Sequence, residues 1–195
     1  MQHRARLSFL LVLGIVTTVA PAYADARAKA VRQGEYLVNL LGCGRCHTEG
    51  YLLGIAPTGP DLAGSKVGIA YADAGDESSP GLVFSPNLTP DDETGLGRWD
   101  RRDIVRALTT GVGTDGHQRL PVMPWPNYGA LKDDDLMAIA SYLKSLEPVR
   151  REIPETTLPG EPVTHPYVRF GIYVFTPFED DDAVAEPPMP EVPSL

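Results

Sequence analysis

Only two cysteines, Cys43 and Cys46, occur among the 195 residues, which excludes a scaffold held by several disulfides. Positive charge is also scarce: 17 Lys and Arg stand against 26 Asp and Glu, a formal net charge of −9. A phosphate binder needs a basic face, so nucleic acid is excluded as the main partner. No apolar run downstream of the N-terminus is long enough for a membrane span, and there is no internal repeat. Alternation of the strand type never persists between Gly50 and Gly97. What is present is a 43% hydrophobic content, enough for a packed core, with 19 Gly and 19 Pro. That mixture predicts one domain of short elements joined by long ordered loops.

The first residues read as a targeting segment. Arg4 and Arg6 precede the apolar run Leu7–Ala20, and Pro21-Ala22-Tyr23-Ala24 supplies the small residues of an Ala-x-Ala cleavage site. Residues 1–24 are therefore expected to be a signal peptide, cleaved after Ala24, which makes the mature protein periplasmic and more acidic still. The alternative is an uncleaved anchor, whose apolar run falls short of the ~20 residues that span a bilayer. No cysteine lies near the cleavage point, so a lipoprotein anchor is excluded.

Helical periodicity appears three times downstream. Ala26–Leu41 offers Val31, Leu37, Val38 and Leu41 as an apolar face, with Gly42 as a stop. Asp100 is placed to cap a helix over Arg101–Thr110, with Asp103 in its first turn, Ile104, Val105 and Leu108 as its stripe and Gly111 beyond its end. A third helix is expected from Asp133 to Leu146, its Asp133-Asp134-Asp135 start favoured by the positive end of the helix dipole. Leu136, Ile139, Ala140 and Leu143 form its buried face, and Pro148 stops it. The long stretch from Gly50 to Gly97 reads as loop, which makes sense only if something other than protein fills the core beside it. Residues 25–150 then form the domain and 151–195 a Pro-rich acidic extension. In it Val168–Phe175 has β-like composition, and Glu179–Leu195 reads as disordered or draped over the surface.

The strongest feature is Cys43-Gly44-Arg45-Cys46-His47. The spacing C-x-x-C-H is the attachment signature of c-type haem: two thiols on one side of a helical turn form thioethers with the haem vinyl groups, and the adjacent histidine supplies an iron ligand. A thioredoxin-like pair would want flanking βαβ units, which are missing. A zinc site needs a fourth ligand from His117 or His165, and a plain disulfide leaves His47 without a role. One covalently bound haem c is the expected cofactor, with His47 as proximal ligand. For the distal position the candidates are Met123, Met137, Met189, His117 and His165. Met137 reads as helix core or surface, Met189 as tail, and His117 as an exposed turn residue. Met123 stands in Leu120-Pro121-Val122-Met123-Pro124-Trp125-Pro126, an apolar loop whose prolines restrict its conformations and suit it to aim a thioether. His/Met ligation raises the potential and leaves no position for substrate, which suits an electron carrier.

These segments, in order, resemble the class I c-type cytochromes, in particular one domain of the cytochrome c subunits of bacterial membrane-associated alcohol and gluconate dehydrogenases. The resemblance is carried by Gly34-Glu35-Tyr36-Leu37, Cys43 to Thr48, Gly59-Pro60-Asp61-Leu62-Ala63-Gly64 and Ser85-Pro86-Asn87-Leu88-Thr89-Pro90-Asp91. It continues through Thr94-Gly95-Leu96-Gly97-Arg98-Trp99, Met123-Pro124-Trp125-Pro126 and Ser141-Tyr142-Leu143-Lys144-Ser145-Leu146. Coverage is about residues 30–148. The resemblance implies an all-α fold, helices packed around one haem, with long loops and here an extended Pro-rich tail. It also implies that the Pro60 carbonyl orients the ligating imidazole, that Arg98 and Trp99 belong to the haem surroundings, and that Met123 is the distal ligand. Gly34 and Tyr142 are implied to lie where the first and last helices cross. Two departures stand out: those subunits usually carry three such domains and an anchoring end, and Ile153–Leu195 matches nothing in the pattern.

The expected function is single-electron transfer by a periplasmic monohaem protein, a carrier rather than an enzyme, between a donor such as an exported dehydrogenase and a downstream acceptor cytochrome or oxidase. A dedicated haem subunit of an oxidoreductase complex is one alternative, and a haem enzyme or sensor with an open iron site is another. The negative charge points to a basic docking face on the partner, although solubility accounts for it equally.

Overall fold

The structure is a computed structural model that describes residues 23–71, 81–120 and 122–170. The signal segment and the acidic stretch Glu179–Leu195 lie outside the described residues, apart from Tyr23 and Ala24. Five helices occur among them: α1 over 23–40, α2 Cys43–His47, α3 Arg101–Thr110, α4 Trp125–Tyr128 and α5 Asp133–Leu143. A short 3-10 turn, Tyr51–Leu53, follows α2.

The long helices start and stop where their sequences say. Asp100 accepts from the Asp103 backbone at 2.8 Å while the Asp103 carboxylate accepts from the Asp100 backbone at 3.1 Å, a reciprocal capping box at the start of α3. Gly111 ends that helix with φ of 73°. Helix α5 begins on its three aspartates and stops at Leu143, one turn short of the expected Leu146. The apolar faces converge on one core: Leu37 and Val38 of α1, Ile104 and Leu108 of α3, and Leu136, Ile139, Ala140 and Leu143 of α5, joined by Leu62 and Leu96. Each such Leu, Ile or Val side chain contributes about 1.5–3 kcal/mol when fully buried.

Helices α1 and α5 approach backbone to backbone at Gly34. A Cβ there would lie 2.0 Å from the Ala138 carbonyl oxygen and 2.7 Å from the Tyr142 Cβ. Only hydrogen at this position lets the axes come so close, and the implied Gly34/Tyr142 crossing is where it was expected.

The all-α expectation needs one correction. Strands β1 (Gly68–Tyr71) and β2 (Gly81–Phe84) pair antiparallel, with Gly68 opposite Phe84 and Tyr71 opposite Gly81. A third strand, β3 (Tyr167–Val168), adds parallel to β1, giving the order β2-β1-β3. The Gly50–Gly97 stretch is thus not all loop. Its strands are four residues each, too short to show an alternation, and β3 arrives from far along the chain. Val168, the start of the β-like segment, is in β3; Gly171 onward lies outside the described residues. Before β3 the chain crosses back over the domain, where Thr157 and Leu82 exchange two backbone hydrogen bonds of 2.9 Å.

Candidate haem attachment site

Two residues beyond α1, Gly42 caps α2, and its φ of 70° turns the chain into it. One helical turn then separates Cys43 from Cys46, which puts their side chains on neighbouring positions of one face. Both thiols are free and half-buried, and Cys43 packs against the hydrophobic core. Burial pushes the Cys43 thiol up to about 11 and moves Cys46 in the same direction. A dithiol redox centre needs its attacking thiol shifted down, so the thioredoxin-like alternative finds no support here. Nor does zinc: among the described residues, no group of three or more His, Cys, Asp or Glu is arranged to hold a metal ion. His117 is exposed beside Asp115, and His165 packs edge-on to Phe84 with ring centroids 5.4 Å apart.

His47 is only 9% exposed. Its Nδ1 lies 2.8 Å from the Pro86 carbonyl oxygen. A carbonyl only accepts, so Nδ1 carries the proton and donates. Burial lowers the pKa of the ring, with the Pro86 bond opposing, so the imidazole is neutral and its lone pair sits on Nε2. An oriented, neutral imidazole with a free Nε2 is the form a metal binds. The partner corrects the expectation for Pro60. The Pro60 carbonyl instead accepts from Ala63 N–H at 3.4 Å, and Pro60 itself is exposed in that turn. Both prolines stand in loop segments of the motif set, and sequence alone does not say which carbonyl the fold brings to the ring.

The backbone around His47 is fixed from several sides. Gly64 N–H donates to the His47 carbonyl at 2.8 Å. The fully buried Thr48 hydroxyl donates to Asp61 Oδ1 at 2.6 Å and accepts from Leu62 N–H at 2.9 Å. Leu62 stands at φ of 56°, a left-handed conformation that its side chain disfavours. Its N–H bond to Thr48 and its carbonyl, which accepts from Leu88 at 2.9 Å, hold it there.

Among the five distal candidates, Met123 is half-buried against the same core that Cys43 joins. The Met123 carbonyl accepts from Trp125 N–H at 2.9 Å as the loop enters α4, where buried Trp125 fixes the turn. Met137 lies half-buried in α5, away from that cluster; Met189 and Pro121 are outside the described residues. Trp99 packs on the core and Arg98 is exposed. Tyr128 was not singled out by the sequence. Its phenol pKa is raised by burial first and then by proximity to Cys43 and Cys46, so it belongs to the thiols' surroundings. Nothing in Trp125-Pro126-Asn127-Tyr128 marks it beyond closeness to Met123.

Two uncharged thiols, a neutral imidazole with Nε2 free and a thioether on a shared apolar core form a donor set suited to a covalently attached haem. The chain belongs to the cytochrome c family, whose sequence pattern matches residues 31–147. Membership implies haem c bound through the Cys43-x-x-Cys46-His47 motif. The chain is similar to the alcohol dehydrogenase (quinone) cytochrome c subunit of Gluconobacter oxydans, 31% identical over 76% of this chain and 28% of that protein. It is 30% identical to the gluconate 2-dehydrogenase cytochrome c subunit of Pantoea cypripedii, over 76% of this chain and 31% of the relative. The fructose dehydrogenase cytochrome subunit of Gluconobacter japonicus is 33% identical over 71% of this chain and 26% of its own length. The aligned part thus spans less than a third of each of these relatives.

Proposed function

We propose that this protein is a periplasmic monohaem electron-transfer protein, handing single electrons from an exported dehydrogenase to a downstream redox acceptor. The observation that carries the reading is His47: buried, neutral, oriented by Pro86, and placed directly after two free thiols on one helical turn. When bound, haem supplies a one-electron couple whose potential the protein tunes through its axial ligands and burial. Cys43 and Cys46 would attach it, and the His47 Nε2 lone pair and the Met123 thioether would hold the iron. Leu37, Leu108, Ile139 and the other core side chains keep water from the site, which sharpens every electrostatic effect there.

Leu40 (64% exposed), just before the attachment helix, and Leu120 and Val122, in the Met123 loop, leave apolar side chains at the surface. Exposed apolar side chains of this kind suit a small, quickly dissociating interface, and the net charge of −9 is compatible with a basic partner face. A second reading makes the chain a dedicated haem subunit of an oxidoreductase; the three relatives named above, each a cytochrome subunit of a dehydrogenase, favour it. Co-purification with a flavin, quinone or molybdenum protein supports that second reading, and a free monomer at physiological concentration argues for the carrier.

The attachment is tested by the pyridine haemochrome spectrum of the full-length Cys43→Ala/Cys46→Ala protein, which is expected to lack covalent haem; haem retained there refutes the assignment. Met123→Ala is expected to abolish sulfur-to-iron charge-transfer absorption in the oxidised protein and to lower the potential. Survival of that absorption refutes the distal ligand.

A further inference from the structure

The chain beyond the family match, which ends at residue 147, does not leave the domain but turns back against the segments that flank and hold His47. It touches three points there. The first is Asn87, next to Pro86 and 1% exposed. Its Nδ2 donates to the Val149 carbonyl at 2.7 Å and to the Thr94 hydroxyl at 3.1 Å, while Oδ1 accepts from Thr89 N–H at 2.9 Å and the Thr89 hydroxyl at 2.8 Å. Val149 N–H returns a bond to the Thr89 hydroxyl at 3.0 Å. All four hydrogen-bonding positions of the buried amide are therefore used, two of them as donors, one to Val149.

The second point is Gly64, which holds the His47 carbonyl. The Ile153 side chain closes over it so tightly that a Cβ on Gly64 would lie 2.7 Å from the Ile153 Cδ1. The third is Glu49, two residues after His47. Its carboxylate takes the Arg151 guanidinium at 2.5 Å and Lys66 N–H at 2.9 Å, and the ion pair is largely shielded from solvent. Arg151 N–H also donates to the Thr94 hydroxyl at 2.9 Å, joining the first and third points.

We propose that residues 149–153 form a strap that positions the His47 imidazole: through Asn87 and Gly64 it sets the Pro86 carbonyl against Nδ1, and so tunes the reduction potential of the bound haem. This rests on His47 being the proximal ligand. The physical link is the strength of the Nδ1–H···O bond. A short, well-aligned bond gives the ring imidazolate character and makes Nε2 a better donor, which favours the ferric state and lowers the potential. A strap that loosens lets the Pro86 loop drift, weakens that bond and raises the potential. Asn87 and Ile153 are positioning residues here; they act through Pro86 and Gly64.

The test uses full-length haem-loaded protein with Asn87→Ala, Ile153→Ala, Ile153→Val and Thr157→Pro. Two readouts are the midpoint potential and the hydrogen-exchange rate of the His47 Nδ1 proton by NMR. Asn87→Ala and Ile153→Ala are expected to raise the potential by about 59 mV, an approximately tenfold shift toward the reduced form, and to speed Nδ1–H exchange. Ile153→Val deletes Cδ1 but keeps a carbon at the Cγ1 position, 2.9 Å from the same point, and is expected to fall between wild type and Ile153→Ala in both readouts. Thr157→Pro breaks the distant pairing with Leu82 and is expected to lower the melting temperature while moving neither readout. If Asn87→Ala fails to load haem, Ile153→Ala decides. Potential and exchange unchanged in Ile153→Ala, with only the melting temperature lowered, overturn the strap. A wild-type protein without covalent haem overturns the functional reading instead, so the two failures are told apart.

Discussion

Alanine at Gly34 sets two effects of opposite sign against each other. In the middle of α1, Gly→Ala favours the helix by about 1 kcal/mol, because alanine loses less backbone freedom. At this position the new Cβ would meet the Ala138 carbonyl oxygen at 2.0 Å and its carbon at 2.6 Å, where ordinary contacts begin at 3.4 Å. The obstacle is backbone, so it yields only if α5 shifts by more than an ångström against α1. Overpacking of this kind costs about 1–3 kcal/mol, and a rigid helix backbone places it at or above the upper end. The net expectation is a loss of about 2 kcal/mol, which lowers the melting temperature by roughly 4–8 °C in a chain of this size. Denaturant and thermal unfolding of the haem-loaded protein measure it. Pairing the change with Ala138→Gly is expected to give no rescue, because the clash is with the carbonyl and not with the Ala138 methyl. A Gly34→Ala protein as stable as wild type, or more so, refutes the close crossing of α1 and α5.

Two further substitutions report on the backbone around the site. Thr48→Val keeps the shape of a fully buried side chain but leaves Leu62 N–H without its acceptor. A loss of about 1–3 kcal/mol is expected in equilibrium unfolding, and a neutral result means that Leu62 does not depend on that bond. Asp91 accepts from the Thr94 hydroxyl and N–H, each at 2.7 Å, and these bonds hold its carboxyl below the usual range. A depressed folded pKa means stability that is present above the ordinary carboxylate range and is lost as the pH falls through the folded value. The stability gap between wild type and Asp91→Asn is therefore expected to be widest near neutral pH and to close on acidification; a gap independent of pH removes the charge from the explanation.

How legible this was depended on the range of the interaction. Helix α3 was readable residue by residue, from Asp100 to Gly111, because its cap, stripe and stop are all local. The attachment motif was readable for the same reason: the chemistry needs Cys43, Cys46 and His47 within one turn. Met123 stood out from its rivals through its proline-stiffened loop and the family pattern, and among the described candidates it shares a core with Cys43. The sheet was not legible, since β1 and β2 are too short to show a period and β3 lies far along the chain. The same limit explains Pro60 and Pro86. Either proline, in its own loop, offers a carbonyl, and which one meets Nδ1 is decided by how residues 62–65 pair with 85–88. Ser65 N–H donates to the Ser85 carbonyl and Leu88 N–H to the Leu62 carbonyl, contacts that no local pattern announces.

The scarcity of cysteine and the wealth of glycine and proline have one physical consequence for folding. Several side chains packed against the core, among them Cys43, Met123, Trp99 and Tyr128, are each only partly buried by protein. Exposed apolar surface of that kind gives up transfer free energy, and long Gly/Pro-rich loops carry a large entropy of ordering. Any group that binds only the folded chain and covers such side chains adds stability by mass action. Full-length Cys43→Ala/Cys46→Ala protein prepared without haem is therefore expected to show helical far-ultraviolet dichroism without a cooperative thermal transition, and to bind a hydrophobic dye. A cooperative, native-like melt in that protein would mean that α1, α3 and α5 close their core unaided, and that the loops between them need nothing but protein to pack against.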